Sequence, residues 1–134
     1  MKYLLDSNTC IRFLNQRSPA VIDRLTDTSD EDIFVCSVVK AEMFYGSERS
    51  QRRERNLAVQ RAFFSRYVSL PFDDAAAEKY AVLRADLEAR GQLIGANDLL
   101  IAAIALAHDM TLVTHNMTEF SRVPELRLED WEAT

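Results

Sequence analysis

The sequence predicts an α/β fold: a three-layer α/β/α domain around a mainly parallel sheet of four to five short strands. Three observations carry this. Residues 33–36 are β-rich and fully apolar, as a strand covered on both faces is, and two more short strands read at 2–6, an apolar run closed by a carboxylate, and at 111–114. The stretches between them follow helical periodicity, and alternating strands and helices imply a parallel sheet. Glycine and proline number only three each, which argues against an all-β sandwich with many tight turns.

Each element has a local reason. Tyr3-Leu4-Leu5 is a first strand, closed by Asp6. Ser7, Asn8 and Thr9 are N-cap residue types, so a helix follows with Ile11 and Leu14 on one face. Ser18-Pro19 joins a cap residue to a proline at the first helical position. Val21, Ile22 and Leu25 form that helix's apolar side, and the polar residues 27–32 read as a surface loop. Residues 33–36 are a buried strand, after which Ser37 caps a helix reaching about Gly46. Residues 51–67 are helical, with Val59, Phe63 and Tyr67 at four-residue steps. A short strand at 68–70 precedes Pro71.

Asp73 or Asp74 then caps a long helix with Tyr80, Leu83 and Leu87 inside, ended by Gly91. Residues 97–108 are apolar nearly all round, which places that helix centrally, with Asn97 as its cap. Residues 111–114 are a buried strand, and 126–128 a last strand near the acidic C-terminus. With no repeat, linker or low-complexity segment, residues 1–134 read as one domain. A chain of this size buries about two thirds of its surface, enough for a core without metals or disulfides.

Composition narrows the function. The chain is 48 % hydrophobic and 28 % charged, which excludes a disordered or fibrous protein. Cys10 and Cys36 are too few for a disulfide scaffold and read as buried thiols. Without CxxC, HExxH or clustered Cys/His, zinc is not expected; His108 reads as a helix C-terminal residue and His115 as a surface-loop residue. The longest apolar run, residues 99–107, is too short to cross a bilayer, and Asp6 interrupts the N-terminal run, so no membrane association is expected and a cytoplasmic location is. Net charge is −5, yet residues 48–66 hold six arginines against two glutamates and so carry +4, leaving −9 elsewhere. Such a basic stretch on an acidic body is either a solvated helix face or a guide for a polyanion.

Three carboxylates stand where solvent faces do not. Asp6 ends an apolar strand, where it also fits as a helix cap. Glu42 has Val38, Val39, Tyr45 and Gly46 as its helical neighbours, so its carboxylate lies on an apolar stripe and requires a partner or a rim position. Asp98 opens the most hydrophobic helix, beside Ile94, Gly95, Ile101 and Ala102. A fourth cluster, Asn116 and Glu119, follows the strand at 111–114; Asn116 fits there as a helix cap too. Ligand sites of parallel sheets lie beyond the strands' carboxyl ends. Convergent carboxylates without His or Cys suit Mg²⁺ or Mn²⁺, and such ions act on phosphate esters.

These residues carry a resemblance. The runs Tyr3-Leu4-Leu5-Asp6-Ser7-Asn8-Thr9-Cys10-Ile11, Ser37 to Gly46, Ile94-Gly95-Ala96-Asn97-Asp98-Leu99-Leu100-Ile101-Ala102-Ala103 and Thr114-His115-Asn116-Met117-Thr118-Glu119-Phe120 resemble the four motifs of PIN-domain ribonucleases, closest to VapC toxins of VapBC toxin–antitoxin pairs. The resemblance covers nearly the whole chain. It implies a Mg²⁺- or Mn²⁺-dependent endoribonuclease that cleaves structured RNA, often transfer or ribosomal RNA, and inhibits translation. Asp6, Glu42 and Asp98 carry over as catalytic and metal-binding. Ser7, Asn8 and Thr9 fall where the family positions metal-bound water or phosphate. Many PIN domains have an aspartate where this chain has Asn116, so the fourth role belongs to Asn116 as a weaker ligand or to Glu119.

The resemblance also implies a homodimer and a VapB-type antitoxin; the basic stretch separately offers Arg49, Arg52, Arg53 and Arg55 as contacts for RNA or antitoxin. Two alternatives remain: a binding module whose carboxylates are vestigial, and a phosphotransferase with Asp6 as nucleophile. The latter chemistry wants a second acid two residues on, where this chain has Asn8.

Overall fold

A computed structural model of the chain describes residues 1–133. Its elements run β1 (Tyr3–Leu5), α1 (Ser7–Leu14), α2 (Pro19–Asp27), β2 (Ile33–Cys36), α3 (Ser37–Glu48), α4 (Arg53–Phe64), β3 (Val68–Leu70), α5 (Asp74–Ala89), α6 (Ala96–Ala107), β4 (Thr111–Val113), α7 (Met117–Phe120) and β5 (Leu128–Glu129), with one 3₁₀ turn at Asp30–Asp32. The five strands form one sheet in the order β3-β2-β1-β4-β5, and every pairing is parallel.

Tyr3, Leu4 and Leu5 of β1 stand opposite Thr111, Leu112 and Val113 of β4, while Tyr3 and Leu4 pair with Ile33 and Phe34 of β2. β2 is buried along its whole length, as its unbroken apolar sequence requires. From β1 the chain winds through β2 to β3, then crosses back to β4 and on to β5. Right-handed crossovers therefore put α1 to α4 on one face of the sheet and α5 to α7 on the other. The winding reverses between β1 and β4, and the crevice beyond their carboxyl ends is where such sheets bind ligands.

α6 has five consecutive buried residues, Ile101 to Ala105, so its all-round apolarity does mark a central helix. α5 packs along it through Leu83 and Leu87. Cys10 and Cys36 are buried free thiols. Trp131 is also buried: its ring meets Tyr3 edge-on at 5.2 Å, Arg24 lies over it, and its N–H donates to Glu129. The C-terminal end is thereby fastened to β1 and α2.

The structure moves several boundaries and faces. α1 begins at Ser7 with Asp6 as its cap, because an aspartate oxygen reaches the third N–H directly. One residue's rotation then buries Thr9 and Cys10 and leaves Ile11 39 % exposed. Ser37 and Asn97 are already helical; Cys36 and Gly95 occupy the cap positions and make no side-chain cap bond. The fourth helix is shorter than residues 51–67: Leu57, Phe63 and Phe64 are its buried residues, Tyr67 is buried beyond its end, and Val59 faces out. Asp73 caps α5, and Gly91 takes φ +64° just past its end.

Candidate active site

The edge where the winding reverses collects the acidic residues. Asp6 follows β1 directly, and its N–H donates to the Val113 carbonyl of β4 at 3.1 Å. Its carboxylate, in a residue only 5 % exposed, accepts the Thr9 N–H at 2.8 Å. Asp6 is thus an α1 cap and a carboxylate at the sheet's edge at once. Burial pushes its carboxyl above the usual range, hydrogen bonds from Thr114 and Thr9 pull it back, and the charge of Glu132 adds slightly to the rise.

Glu42 reaches this edge from α3. Its Oε1 accepts the Ser7 hydroxyl at 2.6 Å and its Oε2 the Asn97 amide at 3.2 Å. It is a half-buried rim carboxylate held by neutral donors. Asp98 enters from the first turn of α6. Its pKa is pushed up to about 7, first by burial, then by the hydrogen bond and negative charge of Glu119, then by the charges of Glu42 and Asp6. A helix N-terminus favours a carboxylate by about 0.3–1 kcal/mol, too little to offset this crowding.

Asn116 occupies the cap position of α7 without capping it. Its amide nitrogen instead lies 3.3 Å from Glu119 Oε2 and 3.5 Å from Asp98 Oδ2, while its N–H donates to the Thr114 hydroxyl at 3.0 Å. The nitrogen, not the carbonyl oxygen, faces the two acids.

Of the residues singled out in the sequence, Asp6, Ser7, Thr9, Glu42, Asp98, Asn116 and Glu119 gather here. The Thr9 hydroxyl donates to the Val113 carbonyl, and Asn8 is exposed. Arg55 and Glu42 line one cleft of about 440 Å³ between α1, α3 and α4, together with Ile11, Met43 and Val59. Arg53 pairs with Glu48 at 3.6 Å, Arg49 lies over the Tyr45 ring, and Arg52 is exposed. His115 is an exposed loop residue with its ring nitrogen 2.9 Å from Asp130, and His108 ends α6 near Asp73.

Sequence reasoning gave no site role to Asn97, read as a cap, or to Thr114, read as a strand end, although both stand in the motif runs. Both directly flank residues already singled out, and adjacency to a carboxylate at a strand or helix end was the available signal. The phosphotransferase reading loses ground: Asp6 is buried and engaged as a cap, and Asn8 brings no second acid.

Among the described residues, no three acidic, histidine or cysteine side chains are drawn together into a finished metal cage. None of the ion pairs there uses Asp6, Glu42, Asp98 or Glu119. Asp98, raised by burial and then by the neighbouring charges of Glu119, Glu42 and Asp6, stands in an oxygen donor set that has only neutral hydrogen-bond donors around it. Such a set could hold a hard divalent cation, with Asp6, Glu42 and Asp98 as its ligands and Glu119 or Asn116 beside them.

Comparison with known proteins agrees with this architecture. The family model described as the PIN domain matches residues 3–126. The tRNA(fMet)-specific endonuclease VapC of Shigella flexneri is 40 % identical, and ribonuclease VapC2 of Rickettsia felis 38 %; the alignments cover 98 % of this chain and 98 % and 99 % of those proteins. The crystal structure of DNA-bound VapBC from Salmonella typhimurium superimposes with a TM-score of 0.92 at 36 % identity, covering 98 % of both chains. VapBC2 from Rickettsia felis, bound to a promoter DNA fragment, gives 0.88 at 37 %, covering 98 % of this chain and 99 % of that one. With its acidic edge at the switch point of a parallel sheet and these relatives along its whole length, the chain belongs to the PIN-domain family, among the VapC ribonucleases.

Proposed function

We propose that this protein is a Mg²⁺- or Mn²⁺-dependent endoribonuclease that cleaves structured RNA, transfer or ribosomal, and thereby inhibits translation. The observation that carries the reading is the convergence of Asp6, Glu42, Asp98 and Glu119 at one edge, with no ion pair to any of them among the described residues. A bound cation would supply charge neutralisation at the scissile phosphate and acidify a water molecule. Asp6, Glu42 and Asp98 would bind it. Ser7 and Asn97 hold Glu42 in place, Thr9 and Thr114 hold Asp6, and Asn116 bridges Asp98 to Glu119. Glu119 is the better placed source of a fourth carboxylate, since Asn116 turns its nitrogen inward.

The partner proposed is a VapB-type antitoxin, as in the VapBC complexes of the relatives. An antitoxin arginine would suit the uncompensated acids, because its guanidinium pairs with two carboxylate oxygens. The protein is proposed to act in the cytoplasm as a homodimer; among the described residues no helix is long and apolar enough to cross a membrane.

The test is incubation of purified protein with bulk tRNA and ribosomal RNA in Mg²⁺ or Mn²⁺, then in EDTA. Cleavage should need the cation and leave 5′-phosphate and 3′-hydroxyl ends, since an activated water attacks rather than the ribose 2′-hydroxyl. Undiminished cleavage in EDTA, or 2′,3′-cyclic phosphate ends, would remove the metal mechanism. Absence of cleavage in either cation would favour the binding module.

A further inference from the structure

We propose that Asn97 is a positioning residue: together with Ser7 it clamps the Glu42 carboxylate at the acidic edge. The inference rests on the cation-dependent reading above. Glu42 extends from α3 on a flexible side chain, and its neighbours one turn away, Val38, Val39, Tyr45 and Gly46, offer no side-chain hydrogen-bond donor toward it. The carboxylate is ordered from outside its own helix. Oε1 accepts the hydroxyl of Ser7 at the start of α1, and Oε2 accepts the amide of Asn97 in the first turn of α6.

The positions of the two donors matter. Ser7 directly follows Asp6, and Asn97 directly precedes Asp98. Glu42 is therefore fastened to the chain neighbours of both other acids, so the clamp registers three carboxylates carried by three separate segments. Both donors are neutral. A lysine or arginine in either place would cancel the charge that a cation needs, whereas a hydroxyl and an amide order the carboxylate and leave its charge and remaining lone pairs free.

Asn97 shows no competing structural duty. It is exposed, Gly95 holds the α6 cap position, and the only hydrogen bond that the Asn97 side chain makes among the described residues is the one to Glu42. It also borders the groove of about 570 Å³ between α3 and α6, with Glu42, Tyr45 and Leu100, so its amide sits at the mouth of the site.

The experiment is an Mn²⁺ titration of the full chain by calorimetry, with RNA cleavage followed against Mn²⁺ concentration. Asn97→Ala should weaken Mn²⁺ binding by about tenfold, the lower end for residues that orient metal ligands. The Mn²⁺ needed for half-maximal cleavage should rise by a similar factor. Metal-free melting should stay the same or rise, because alanine is the better helix former. Ser7→Ala should shift the titration in the same direction. In a Glu42→Ala background, Asn97→Ala should change Mn²⁺ affinity no further, since the group it acts through is gone.

Unchanged Mn²⁺ affinity in Asn97→Ala, or the same loss with and without Glu42, would overturn the clamp while leaving the function intact. Failure of the wild-type chain itself to bind Mn²⁺ would overturn the cation-dependent reading, and the clamp with it.

Discussion

The Asn116 amide nitrogen stands between the carboxyl groups of Asp98 and Glu119, 3.5 Å from Asp98 Oδ2 and 3.3 Å from Glu119 Oε2. Burial first, and then the neighbouring acids, disfavour the Asp98 charge and push its carboxyl up to about 7. That relationship, with the other contacts at the same edge, leads to measurable consequences.

The first is a pH-dependent stability. Asp98 titrates near 7 in the folded chain against 3.8 for the free side chain. For an acid whose folded pKa is raised, the stability it contributes is complete below the unfolded value and is lost as pH rises through the folded one. In EDTA, Asp98→Asn should therefore raise the melting temperature at pH 8 and have little effect at pH 4. An equal shift at both pH values in thermal melts would contradict the raised Asp98 carboxyl. By the same competition between proton and metal, Mn²⁺ affinity should fall as pH drops from 8 to 6.

Asp6 should separate its two duties by substitution. Asp6→Asn keeps an oxygen for the Thr9 N–H, so it should fold like the wild type yet lose RNA cleavage. Asp6→Ala loses the cap as well and should cost about 1 kcal/mol more in denaturant unfolding. Equal stability of the two variants would mean that the cap contributes nothing.

Asn116 and Glu119 should differ in weight. Glu119→Gln removes a charge from the pocket, and should weaken Mn²⁺ binding more than Asn116→Ala, which removes only a bridging donor. Glu119→Gln should also lower the pKa of Asp98, followed by carboxyl-carbon NMR. A larger Mn²⁺ loss in Asn116→Ala would instead give Asn116 the fourth role.

The arginines should be unequal too. Arg53 is engaged with Glu48 and Arg49 with Tyr45, whereas Arg52 is exposed and Arg55 lies in the cleft that reaches Glu42. Replacing Arg52 and Arg55 by glutamine should weaken RNA binding and lower the slope of log K against log salt by about one for every phosphate group no longer neutralised. An unchanged slope would leave them as a solvated face.

The legible part of this protein was its periodicity and punctuation. Ser18-Pro19 started α2, with Ser18 Oγ accepting from Val21 N–H, and Asp73 started α5 in the same way. The apolar run of β2 was recognisable because a strand covered on both faces is built mostly of apolar residues. Caps were less legible where two candidates adjoined. Asp6 and Ser7 are both acceptable locally, and the choice between them set which face of α1 turned inward.

By itself the sequence determined that acids sit at strand and helix ends in apolar surroundings, because burying a charge without purpose is costly and such positions stand out. Tertiary structure alone decided how the acids share their edge. Asp6, Glu42 and Asp98 lie far apart in the chain, and only the reversal of winding between β1 and β4, with α3 and α6 converging above it, brings them together. The same assembly took Asn97 from helix start to clamp, and turned the nitrogen of Asn116 toward two acids. Hydrogen bonds and charge repulsion act over a few ångströms in space, so their partners are set by packing and not by spacing along the chain.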